Sequence, residues 1–209
     1  EYLAQLKRIQ TFERTLADDG MLILKFWMHL SRDEQKQRLE ALQSDPDTAW
    51  RVSDRDWEHW EMYDQFIETA ERTITETNTE FAPWHIIEGA DSNHRILTVA
   101  EIILEAMKSR LKAHGHEPTP ELLIDAEAID AEDPIPEAPD RHVTVFSALD
   151  MTSSLDKSDY KTQLATQQRR IHLLQREAVE QNRSSVLVFE GPDAGGKGGA
   201  IRRIIPTLD

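Results

Sequence analysis

The feature that most limits what this chain can fold into is a glycine cluster set directly behind an apolar run. Five of its eight glycines fall within residues 191–199, in Glu190-Gly191-Pro192-Asp193-Ala194-Gly195-Gly196-Lys197-Gly198-Gly199. The preceding Val186-Leu187-Val188-Phe189 reads as a strand over 184–189, and residues 196–205 read as a helix that Pro206 stops. A strand that turns through glycines into a helix points several backbone N–H groups into one concavity. The helix N-terminus adds its partial positive charge. Glycine is needed because the backbone must adopt conformations that a Cβ forbids and must approach phosphate oxygens closely. Gly191, Gly196 and Lys197 have the spacing of a phosphate-binding loop, with Lys197 a point charge for the same phosphates.

Two residues depart from the common form of such loops. Gly198 stands where a Ser or Thr hydroxyl usually meets magnesium. Asp193 places a carboxylate among phosphates, which is repulsive unless a cation intervenes. The departures compensate if Asp193 helps to hold the Mg²⁺ that the hydroxyl would have held.

The rest of the chain alternates helix and strand. Leu3, Leu6, Ile9, Phe12 and Leu16 have helical spacing over residues 2–18. Residues 21–28 form a near-continuous apolar run, as in a strand buried on both faces of a parallel sheet. Ser31-Arg32-Asp33-Glu34 is a capping box that opens a polar helix to about residue 43. Further helices are expected over 57–76, 93–112 and 155–182, with a short strand at 84–88. This pattern predicts an α/β fold, a doubly wound parallel sheet with helices on both faces. Residues 116–140 hold nine acids, five prolines and no Lys or Arg, and read as a linker between two domains.

Charge sharpens the reading. The net charge of −15 argues against a general nucleic-acid binder. The excess is uneven: residues 141–209 carry ten basic and eight acidic residues. The segment with the glycine loop therefore suits an anion best. No stretch approaches the roughly 20 apolar residues that span a bilayer. The chain has no cysteine, which fits a cytoplasmic protein and excludes thiolate metal sites. His114 and His116 lack an evident third ligand and read as solvated. The tryptophans at 27, 50, 57, 60 and 84 read as packing residues, and Asp54, Asp56, Glu58 and Glu61 as an exposed helix start.

The segment Phe189 to Arg203 resembles the Walker A segment of the family-2 polyphosphate kinases, with Gly195 in place of the family's second alanine. Lys25-Phe26-Trp27-Met28-His29-Leu30-Ser31 with Asp33-Glu34-Gln35 is similar to the family's strand and helix beyond Walker B. So are Trp60-x-x-Tyr63, Thr77, Ala82-Pro83-Trp84, Asp91 and Arg95. The resemblance implies a P-loop NTPase-like fold. The family's late segment comes first here and its early segment last. That order resembles a window across the two-domain class, the polyphosphate:AMP phosphotransferases. Residues 1–115 are then the C-terminal part of a first domain, 116–140 the linker, and 141–209 the N-terminal part of a second, so both domains are incomplete. A circular permutation gives the same order.

The resemblance implies transfer of the terminal phosphoryl group of polyphosphate to AMP, giving ADP, with Mg²⁺ as cofactor. Asp193 and Lys197 are the candidate catalytic residues and Asp193 the metal ligand. Gly191, Asp193, Ala194, Gly195, Gly196, Lys197 and Gly198 would cradle phosphate, with Arg202 and Arg203 one turn into the helix. The expected partners are polyphosphate and AMP or ADP, in a homo-oligomer, with no nucleic acid and no membrane. An ATP-dependent small-molecule kinase and a non-catalytic α/β assembly domain are the competing readings. The family's Walker B aspartate and basic lid are not found in the 209 residues. This polypeptide alone is therefore expected to make no ADP from AMP and polyphosphate above background in a turnover assay.

Overall fold

The computed structural model describes residues 2–113 and 144–208. In chain order they form α1 (Tyr2–Asp18), β1 (Leu22–His29), α2 (Arg32–Ser44), α3 (Asp54–Glu61), α4 (Tyr63–Thr77), β2 (Trp84–Glu88), α5 (Ser92–Ala113), α6 (Lys157–Glu180), β3 (Ser185–Glu190) and α7 (Lys197–Ile204). Short 3-10 turns lie at Ala49–Arg51 and Ile205–Thr207, the second containing Pro206.

The three strands make one parallel sheet in the order β2-β1-β3. Lys25 pairs with Trp84 and His29 with Glu88 on one side, while Leu22 pairs with Ser185 and Trp27 with Glu190 on the other. Central β1 is buried from Ile23 to His29, as a near-continuous apolar run requires when helices cover both faces. Leu24, Phe26 and Met28 join Ile96, Ile103, Ile171 and Leu174 in the main core under α5, α6 and α7. On the opposite face Trp27 packs with Ala70 and Ile74 of α4 and with Phe146. The expected α/β fold with helices on both faces is thus observed. Within this chain the residues on either side of 114–143 share one sheet, through the pairing of β1 with β3. The linker and both histidines at 114 and 116 lie outside the described residues.

Local signals explain most element boundaries. Ser31 Oγ accepts from Glu34 N while Ser31 N donates to Glu34 Oε2, the capping box read from the sequence. The single helix expected over 57–76 is instead two. A second capping box, Ser53 with Asp56, starts α3 three residues early, and the helical run breaks at Met62. No Pro or Gly marks that break. Its cause is tertiary: Trp60 Nε1 donates to Arg32 O at 3.0 Å and Tyr63 Oη to Leu30 O at 2.7 Å, so the two helices are pinned separately to the end of β1.

The apolar stripe of α1 is less buried than its spacing suggests. Leu6 is buried, whereas Leu3, Ile9 and Phe12 are exposed. Instead α1 is anchored by an ion pair. Lys25 Nζ, on the α1 face of the sheet, donates to both carboxylate oxygens of Glu13 at 2.9 Å and to Thr77 O at 2.7 Å. The Lys25 side chain is 2% exposed. Burial pushes its pKa below the ordinary lysine value, and the Glu13 carboxylate opposes that shift. Removing one partner strands a buried charge, which costs about 3 kcal/mol, whereas replacing both by apolar groups is near neutral. Glu13→Ala is accordingly expected to lower the guanidinium unfolding free energy by about 3 kcal/mol, and Lys25→Met combined with Glu13→Leu to recover most of it.

Candidate phosphate-binding site

Because the strands are parallel, their carboxyl ends meet at one edge, the edge at which open α/β sheets bind ligands. The loop from Glu190 to Gly196 leaves β3 there and enters α7. Gly191 has φ +142°, and a Cβ on it would sit 2.5 Å from Met28 O, so a glycine lets the loop cross the end of β1. Gly196, with φ +91°, caps α7 in the left-handed conformation. Ala194 takes φ +61°, a strained value for a residue with a side chain.

Two arginines from other elements hold this loop. Arg38 of α2 donates from Nη1 to Ala194 O at 2.9 Å, and from Nη2 to Gly89 O and Ala90 O. Arg95 of α5 donates to Gly89 O and lies against Gly196. Both guanidinium groups donate to carbonyl oxygens, Arg95 Nε remaining buried without a partner, and among the described residues neither lies within ion-pair distance of a carboxylate. Burial, with the Arg38 charge adding to it, brings Arg95 down to about 10. Lys197 donates to Gly191 O, and to Pro192 O at 3.0 Å. Its burial lowers its pKa, against the carboxylates of Asp193 and Glu190. Arg38 also feels the carboxylates of Glu34 and Asp91, and Arg95 that of Asp91, so the cations above the loop are partly offset by nearby acids.

The space above the loop is an open groove of about 820 Å³, in which the five cations Arg38, Arg51, Arg95, Lys197 and Arg202 outnumber the three acids Asp45, Asp91 and Asp193, with the loop residues 193–199 as its floor. A smaller pocket of about 270 Å³ lies on the other side of the loop. Gln35, His59, Met62, Tyr63 and Phe66 line it, with Glu190 and the loop start. Asp193 lines both spaces. Burial pushes the Tyr63 phenol up to about 12, so it stays a neutral donor to Leu30 O.

The structure thus gathers Gly191, Asp193, Ala194, Gly195, Gly196, Lys197 and Gly198 in one loop, with Arg202 on the groove wall. Arg203 is placed elsewhere: its Nη1 donates to Gly199 O at 3.1 Å, and it is exposed outside the groove lining. Arg38, Arg51 and His59 join the site from residues 32–61, a contribution the sequence does not mark. Trp27, Trp57, Trp60 and Trp84 are buried or half-buried, whereas Trp50 is 80% exposed.

No group of three metal-ligating side chains occurs among the described residues. The site is therefore not a protein-built metal cage. A single carboxylate beside a phosphate cradle is nevertheless a donor set that Mg²⁺ accepts, because Mg²⁺ keeps waters and takes one or two carboxylates together with substrate phosphates.

Fold and loop together define an α/β protein with a glycine-rich loop, the candidate phosphate site, at the carboxyl edge of a parallel sheet. The chain belongs to the polyphosphate kinase 2 (PPK2) family, whose model matches residues 1–115 and 154–209. It is 40% identical to a polyphosphate:AMP phosphotransferase of Pseudomonas aeruginosa, over 96% of this chain and 38% of that protein. The protein of the same name from Pseudomonas syringae pv. tomato gives the same identity and shares. An AMP/ADP-polyphosphate phosphotransferase of Meiothermus ruber is 39% identical over 49% of this chain and 38% of that protein. The chain thus spans 38% of the length of these relatives. Among the described residues no helix is long and apolar enough to cross a membrane.

Lysine binds a phosphate chain as the ammonium, so tripolyphosphate affinity falls as pH rises through the Lys197 pKa. Because that pKa is lowered, the fall is expected to begin below the ordinary lysine range. Lys197→Arg, which keeps its charge, is expected to flatten the profile in calorimetric titrations across pH.

Proposed function

We propose that this chain is the phosphate-cradling part of a Mg²⁺-dependent polyphosphate:AMP phosphotransferase, which moves the terminal phosphoryl group of polyphosphate to AMP and yields ADP. The observation that carries the reading is the division of the site at Asp193. On one side an open groove, lined by five cations and three acids, suits an extended polyanion. On the other, a pocket with Met62, Tyr63 and Phe66 suits a nucleoside. Phosphoryl transfer needs positioning and charge neutralisation more than covalent chemistry from the protein. Here the loop amides and Lys197 bind the donor phosphates, and Arg38 and Arg95 hold the loop in shape. Mg²⁺ carried in with the phosphates would rest on Asp193 and neutralise charge there.

The names of the pseudomonad and Meiothermus relatives support polyphosphate as donor and AMP as acceptor. The family match, which falls into two parts on either side of residues 116–153, supports two incomplete domains joined by a linker. The lack of cysteine supports a cytoplasmic location, and the net charge of −15 a partner set without nucleic acid. Exposed Leu3, Ile9 and Phe12 on α1 support assembly into a homo-oligomer.

The test is donor dependence in the longer protein that contains this chain. ADP formed from AMP with polyphosphate, and not with ATP, supports the reading; dependence on ATP overturns it in favour of a small-molecule kinase. Lys197→Met is expected to weaken tripolyphosphate binding about 10- to 100-fold, the worth of a charge-assisted hydrogen bond.

A further inference from the structure

His59 reaches the loop from α3, 134 positions away in sequence, and its Nδ1 lies 2.8 Å from Asp193 Oδ2. Arg55, one turn earlier on α3, donates from Nε to His59 Nε2 at 3.4 Å. An ionised carboxylate only accepts, so the 2.8 Å contact is a donation from His59 Nδ1 to Asp193 Oδ2. Among the described residues the other oxygen of Asp193, Oδ1, has no hydrogen-bond partner.

We propose that His59 is a positioning residue for Asp193: its Nδ1–H fixes Oδ2 and leaves Oδ1 for a Mg²⁺ ion brought in by the phosphate chain. The inference rests on the phosphate-cradling role assigned to the loop. Its physics is that of outer-shell partners at metal sites. A hydrogen bond to one carboxylate oxygen sets the orientation of the other, and loss of such partners costs about 10- to 100-fold in metal affinity. The pair is 42% and 39% exposed in its side chains, so solvent competes and the lower end of that range applies.

Calorimetric titration of tripolyphosphate into this chain, with and without MgCl₂, tests the proposal. In the unsubstituted chain Mg²⁺ is expected to tighten binding. His59→Ala is expected to lose about ten-fold of that Mg²⁺-dependent gain while Mg²⁺-free affinity stays within about two-fold. His59→Asn, whose amide nitrogen replaces Nδ1, is expected to restore the gain. His59→Gln, whose amide nitrogen replaces Nε2, is expected to behave like alanine. A Mg²⁺-dependent gain unchanged in His59→Ala overturns the proposal. So does equal weakening with and without Mg²⁺, which marks a merely structural contact, or Asn and Gln variants that behave alike. An unsubstituted chain that binds no tripolyphosphate at all overturns the loop's assigned role and this inference with it. Thermal melts of the variants check that the half-exposed substitution leaves the fold intact.

Discussion

Everything in this structure depends on β1 being paired on both edges by parallel strands. β1 supplies Leu24, Phe26 and Met28 to one core and Trp27 to the other, and it receives β2 and β3 as neighbours. Parallel pairing puts the ends of all three strands on one edge. It sets Met28 O beneath Gly191, so that the glycine loop rests on the end of the central strand. Without the β1–β3 ladder the loop would be a strand and a turn with no groove around them.

The polar interior follows from the same arrangement. On the α1 face, Lys25 and Glu13 neutralise each other and tie α1 and α4 to the sheet. At the carboxyl edge the opposite choice is made. Arg38 and Arg95 donate to the carbonyls of Gly89, Ala90 and Ala194, contacts that leave their charge in place, while Arg95 Nε stays buried without a partner. A carbonyl-bonded guanidinium holds a loop in shape and still attracts a phosphate. A carboxylate-bonded one loses most of that attraction. The site is thus shaped by cations whose field remains available to an anionic ligand.

The loop joins two environments. Above Lys197 the groove is polar and cationic, and beside Asp193 the pocket is lined by Met62, Tyr63 and Phe66. The split of α3 from α4 at Met62 builds that pocket. Each helix is hung on a different carbonyl at the start of α2, Trp60 on Arg32 O and Tyr63 on Leu30 O. The break also leaves His59 near the end of α3, within reach of Asp193.

What the sequence determined by itself was local and periodic. The apolar runs became β1 and β3, the Ser31–Glu34 box capped α2, and the glycines with Lys197 became a loop entering a helix. These follow from side-chain period, capping chemistry and backbone sterics, all of which act over a few residues. Tertiary structure decided which distant residues meet the loop. Arg38, Arg51 and His59 carry no local mark because their roles come from the end of the sheet they sit on. Arg203 left the groove because one step along a helix turns a side chain by about 100° from Arg202. The helix break at Met62 was equally silent, since hydrogen bonds to residues about 30 positions earlier produce it. Local chemistry marked the glycine loop as a candidate phosphate site; only packing could say which cations surround it and which side chain contacts Asp193.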